Sequence, residues 1–224
     1  MLSHPLVTAL LCLVPTAGGP DRVLTEAVRK TTGLGSYAFT IDESPARGTA
    51  GAFQGKYVRG QPVFFMADKV EFLKKGEVLA YKDAGQWQRS KTGTQSDPLR
   101  ILGAAAKVRG ARLPHEELGE LVKGLQGVKK ADGEPGGSTV YSGTLDKANA
   151  ERLASPSLRA VAQDGQAKIW VGPDGQVHKY SLTIRVQGRL GNAEIDGRLT
   201  RTVTLSEHGS ARLDVPEAAK AALE

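Results

Sequence analysis

Cysteine is almost missing from this chain: Cys12 is the only one in 224 residues. A disulfide framework is excluded, and so is thiolate chemistry in any form that has lost the first residues. Histidine is scarce as well. His4, His115, His178 and His208 include no pair at helical ligand spacing, so the sequence assigns no metal site. No Ser stands in a Gly-x-Ser-x-Gly elbow, and Gly33-Leu34-Gly35 falls in a helix-to-strand link, where Gly is a cap rather than a phosphate cradle. The acids Asp132, Glu134, Asp146, Asp164 and Asp174 sit at turns and strand ends, where Asp commonly bonds its own backbone. No catalytic residue and no cofactor is assigned, and the expectation is a protein that is not an enzyme. The apolar run over 6–14 is also too short for the roughly 20 residues that a bilayer-crossing helix needs.

What is present points elsewhere. The run Leu-Val-Thr-Ala-Leu-Leu-Cys-Leu-Val is followed by Pro15, Thr16, Ala17, Gly18 and Gly19, the pattern of a secretory signal and its cleavage region. The expected organisation is a signal peptide over 1–19 and one domain over 20–224, periplasmic or secreted. The alternative is a buried apolar N-terminal segment of a cytosolic protein. Gly is abundant, 27 residues without a fixed period, which favours turns, bulges and bent strands. The net charge of +6 comes from basic residues scattered over turns and helix backs, such as Lys74-Lys75 and Lys129-Lys130, and not interleaved with aromatic residues. A nucleic-acid partner is therefore not expected; the remaining use of the charge is attraction to an anionic membrane surface.

Along the chain, Val23, Leu24, Ala27 and Val28 share one face of a helix over 21–32. The period then becomes two, with Tyr37, Phe39 and Ile41 alternating with polar or small neighbours. Strands near 51–59, 62–67, 69–75, 77–82 and 86–90 are separated by links short enough only for antiparallel neighbours. Most of the aromatic residues lie in this meander: Phe53, Tyr57, Phe64, Phe65, Phe72, Tyr81 and Trp87. Two helices interrupt it, one over 97–109 that is apolar around much of its girth and one after Pro114 with Leu118, Leu121, Val122 and Leu125 on a face. Strands resume near 128–132, 137–146, 167–171 and 176–190, with a short helix over 149–154. The clearest alternation comes last: Tyr180, Leu182, Ile184 and Val186, then Ile195, Leu199, Val203 and Leu205, point to one side. Gly197 and Arg201 fall on that apolar side, and Arg201 there needs a partner or a route to water.

Specific stretches carry a family resemblance. Gln54-Gly55-Lys56-Tyr57-Val58-Arg59 with Pro62, then Lys75-Gly76-Glu77-Val78-Leu79-Ala80-Tyr81 and Gln86-Trp87, form one set. Tyr141-Ser142-Gly143-Thr144-Leu145-Asp146 and Lys168-Ile169-Trp170-Val171 with Gly175-Gln176-Val177 form another. Over about 21–216 the order of elements and these stretches resemble the LolA-like lipoprotein carriers and the related LppX/LprG lipid-binding lipoproteins. One departure is that those relatives are often lipidated, whereas Cys12 is preceded by Leu10 and Leu11 and no small residue.

The resemblance implies an α+β, mainly β, fold: an antiparallel open (half) β-barrel with helices covering its concave face. It also implies an apolar ligand (lipid, acyl chain or lipoprotein) held between barrel and helices. The residues expected to line that site are Phe65, Phe72, Leu79, Trp87, Leu99, Leu102, Trp170, Leu182 and Ile184. The partners expected are lipid or acylated protein, with a membrane-surface or envelope protein as a further one. The alternative function is a structural or regulatory envelope module that binds a protein partner and keeps its interior filled.

Overall fold

The computed structural model describes residues 19–44, 51–90, 99–131, 137–154 and 158–224. The expected signal segment, and the Asp97 and Pro98 expected to start a helix, lie outside them. Helix α1 (Pro20–Thr32) opens the described chain with Pro at its first turn and buries Leu24, Ala27, Val28 and Thr31, one face at spacings of three and four. The Thr31 hydroxyl accepts the backbone N–H of Val177 at 2.8 Å, which docks the helix onto the sheet.

Six strands follow as a meander: β1 (Ser36–Ser44), β2 (Gly51–Val58), β3 (Val63–Ala67), β4 (Val70–Lys75), β5 (Val78–Asp83) and β6 (Gln86–Ser90). The β3–β4 link is a tight turn in which both Asp68 (φ 50°) and Lys69 (φ 66°) are left-handed, and Ala84 (φ 46°) with Gly85 (φ 82°) repeats this between β5 and β6. Helices α2 (Leu99–Gly110) and α3 (Pro114–Gly124) then interrupt the strands. The chain continues through β7 (Gln126–Ala131), β8 (Thr139–Leu145), α4 (Lys147–Leu153), β9 (Ala162–Val171), β10 (Val177–Leu190), β11 (Ala193–Ser206) and α5 (Glu217–Ala222). Asp146 caps α4 by accepting the Asn149 N–H at 2.9 Å.

All strands among the described residues join one antiparallel sheet in the order β6-β5-β4-β3-β2-β1-β11-β10-β9-β8-β7. Two meanders thus meet where the first strand pairs the last, Phe39 opposite Leu205 and Ile41 opposite Val203. The edges β6 and β7 stay apart, so the barrel is open, and α2 and α3 form the connection from one edge to the other. The expected open half-barrel with a helical cover is the fold observed.

The main core fills the concave side. It joins Tyr37, Phe39, Ile41, Phe65 and Phe72 of the first meander to Tyr141, Ile169, Leu182, Ile184 and Val203 of the second. Ile101, Ala105, Leu118, Leu121 and Leu153 pack on it from the helices. Gly55 makes this packing possible on β2: a Cβ there would lie 2.3 Å from Phe39 Cζ and 2.5 Å from the Phe64 carbonyl oxygen.

A second, smaller core lies on the other face. Leu73 and Ala80 are covered by Ala219 and Leu223, with Phe64, Val78, Trp87, Leu213 and Val215 packed around them. The C-terminal helix therefore lies against the outside of the first meander, a cover the sequence pattern did not disclose.

Candidate functional site

Five of the nine residues expected to line a ligand site come together. Phe65, Phe72 and Leu79 on the first meander and Leu182 and Ile184 on the second all belong to the concave core and are at most 1% exposed. The other four do not join them. Trp87 is on the convex face: Phe72 stands opposite Tyr81 and Tyr81 opposite Gln88, so Gln88 shares the concave side and its neighbour Trp87 points outward, into the smaller core. Trp170 is outward as well, because Ile169 beside it faces the core, and the ammonium of Lys179 sits 4.6 Å from the Trp170 ring centre. Helix α2 turns Ile101, Ala104, Ala105 and Val108 to the sheet and leaves Leu102 half-buried on its flank. The side chain of Leu99 lies outside the described residues.

The sequence reading missed the opening that the structure offers. A solvent-open cleft of about 550 Å³ runs between α1 and α3, with a mostly apolar surface. Val28 and Val122 face it from the two helices, Gly119 leaves space on α3, and the half-buried His115 lines it as well; Arg29 and Lys123 are exposed at its margin. The signal was Gly119 beside Val122 on α3, a helix read at the sequence level only for its core face.

Below the cleft lies an aromatic group. The Tyr37 and Tyr57 rings stack at 5.1 Å, and the His115 ring lies 4.7 Å from Tyr57. Tyr37 Oη and His115 Nδ1 share a hydrogen bond of 2.6 Å. Burial pushes the Tyr37 phenol well above its ordinary range and holds the His115 imidazole below its own, despite the neighbouring Glu116. Both rings are thus neutral near pH 7, and the phenol can donate to an unprotonated Nδ1.

Deeper still, Arg201 finds the partners its position demanded. Its Nη1 donates to Glu117 Oε1 at 2.8 Å and its Nε to Glu43 Oε2 at 2.9 Å. Glu117 is buried at 1% exposure on α3, so this pair ties the cleft wall to the sheet. Burial opposes the Arg201 charge, but Glu117 and Glu43 more than offset it and raise its pKa further. The same burial, with Glu117 close by, pushes the Tyr180 phenol well up.

An unclosed antiparallel barrel with a helical cover defines a recognisable class of fold. No family model matches the chain, and no curated protein matches it significantly in sequence. Among solved structures it is similar to LprF from Mycobacterium bovis, with 15% identity and a TM-score of 0.56 over 89% of this chain and 97% of that one. The lipoprotein LppX of Mycobacterium tuberculosis matches at 14% identity and a TM-score of 0.46 over 87% and 97%, respectively. A LolA superfamily protein from Nitrosomonas europaea matches at 10% and 0.31 over 88% and 96%. The similarity to LprF meets, at the level of the fold, the resemblance drawn from the strand and turn pattern. Among the described residues no helix is long and apolar enough to cross a membrane.

Proposed function

We propose that this chain is an exported envelope protein that binds an apolar ligand (a lipid, an acyl chain or the acylated end of a protein) between its open barrel and its helices. It acts as a carrier or sensor and not as an enzyme, with no nucleic-acid partner. The cleft between α1 and α3 carries this reading. Its volume of about 550 Å³ falls within the roughly 300–1,000 Å³ of small-ligand sites, and its apolar walls suit a chain of methylenes. Each methylene buried contributes about 0.8 kcal/mol, so an acyl tail needs no charged anchor to offset the cost of association. Arg29 and Lys123 at the margin suit an anionic headgroup, although Arg29 already donates to Glu26 at 2.7 Å.

Phe65, Phe72, Leu79, Leu182 and Ile184 are proposed as the surface onto which a ligand passes once α2 and α3 lift from the sheet. Their close packing also favours a second reading, an envelope module that keeps its interior filled and binds a protein partner.

A fluorescent fatty acyl probe separates the two. A Cβ at Gly119 meets nothing within 4 Å, so Gly119→Trp should fill the cleft and leave the melting temperature unchanged. The expected result is probe binding by the parent chain and at least a tenfold weaker binding by the variant. A parent that takes up neither the probe nor a lipid from its own host, as read by native mass spectrometry, rejects the carrier and leaves the partner module.

A further inference from the structure

Beside the C-terminal end of α1, whose Thr31 hydroxyl accepts the Val177 N–H, three side chains from two distant segments meet. Asp174 belongs to the β9–β10 turn, His178 to the start of β10, and His208 to the turn after β11. Each offers a ligand atom, and these atoms lie within 4.8 Å of one another. His178 Nε2 is 3.0 Å from both carboxylate oxygens of Asp174, and the His178 and His208 rings stand edge to face at 4.7 Å.

The backbone is arranged around this cluster. His178 is the extra residue of a β-bulge, since Val177 pairs Val171 and Lys179 pairs the adjacent Trp170, and a bulge re-aims the side chain it carries. Gln176 donates its N–H to Asp174 Oδ1 at 3.0 Å and holds the carboxylate in place. Gly172 supplies the room: a Cβ there would lie 2.5 Å from His178 Nε2 and 2.9 Å from Asp174 Oδ1. His208 is set between two left-handed residues, Glu207 (φ 52°) and Gly209 (φ 70°).

A half-exposed His–Asp pair alone would be an ordinary surface contact of small worth. His208 is what asks for more. Its Nε2 is buried without a hydrogen-bond partner, a state that costs free energy unless something binds the ring. A second imidazolium facing His178 is no remedy, because like charges repel.

We propose that Asp174, His178 and His208 form a binding site for a borderline divalent metal ion of the Zn²⁺ class, using two imidazole nitrogens and one carboxylate oxygen. Zinc bonds to nitrogen and oxygen are about 2.0–2.2 Å, which sets tetrahedral ligand atoms about 3.4 Å apart. The 3.0 Å contact needs to open slightly and the widest separation to close by small side-chain rotations. Imidazole ligands select Zn²⁺, Cu²⁺ or Ni²⁺ over Ca²⁺ and Mg²⁺, which prefer all-oxygen cages. Bound metal clips the β9–β10 turn to the segment that follows β11, and the fourth position is left for water or a ligand from a partner.

The test is a titration of the untagged chain with Zn²⁺ against a chromogenic chelator, with Ca²⁺ as the control ion. One zinc per chain and a raised melting temperature are expected, with no response to Ca²⁺. His178→Ala and His208→Ala should each weaken zinc binding at least tenfold, His115→Ala should not, and His208→Gln serves where alanine impairs folding. Parent binding weaker than about 1 mM, or binding that survives the His178→Ala/His208→Ala double change, overturns the proposal.

Discussion

The guanidinium of Arg201, on the last strand, reaches Glu117, on the third helix, at 2.8 Å in an environment that leaves the carboxylate 1% exposed. The register fixes this contact. Leu182 stands opposite Arg201 on β10 and Glu43 opposite it on β1, so the side chain can only point into the concave face.

Removing one member of this group should therefore be expensive. Arg201→Ala leaves Glu117 buried without its cation, and a loss of about 3–5 kcal/mol is expected in urea unfolding. The double change Arg201→Met with Glu117→Leu should recover much of that loss, because the fully buried carboxylate goes with its cation and only the partly exposed Glu43 loses a partner. A double variant as unstable as the single one would show that packing, and not the uncompensated carboxylate, sets the cost.

The alternation on β10 makes a second expectation. Ile184 is fully buried against Leu199 across the strand pair, whereas Thr183 is on the other face, near Thr200 at 3.5 Å between hydroxyls. Ile184→Asp should cost several kcal/mol (about 3 or more) through a buried carboxylate, and Thr183→Asp about 0.5 kcal/mol or less. Equal shifts in melting temperature for the two would contradict the register.

Export is the third expectation, resting on the apolar run before Ala17-Gly18-Gly19. N-terminal sequencing of the periplasmic or secreted form should begin near Gly19 to Asp21. Recovery of the chain from the cytosol with Met1 intact would sink the reading.

The strands were legible where one face is wet and the other dry, as at Tyr180, Leu182, Ile184 and Val186. The beginning of β9 was not: the sequence suggested a start at 167, but pairing begins at Ala162, where the inward positions are the small residues Ala162, Gly165 and Ala167 and leave no apolar period. Trp87 and Trp170 were expected to line the ligand site. Both are shielded, but on the convex face, one by the C-terminal helix and the other beneath Lys179. A helix apolar all round, such as α2, does not say which stripe meets the sheet, so Leu102 was chosen where Ile101 is the core residue. The Asp174, His178 and His208 cluster was illegible for a different reason: the β10–β11 ribbon brings His208 to an Asp174–His178 pair with which no local spacing connects it.

The pairing of β1 with β11 also governs the order in which the sheet can assemble. Each meander consists of neighbours in sequence and can zip up by short loop closures, but the seam between them joins residues 38–44 to 200–206. A chain emerging from its amino terminus can form the first meander early, yet its first strand keeps an unpaired edge until nearly the whole polypeptide is available. Completion of the sheet therefore waits until residues 200–206 have been made, however early the first meander has formed.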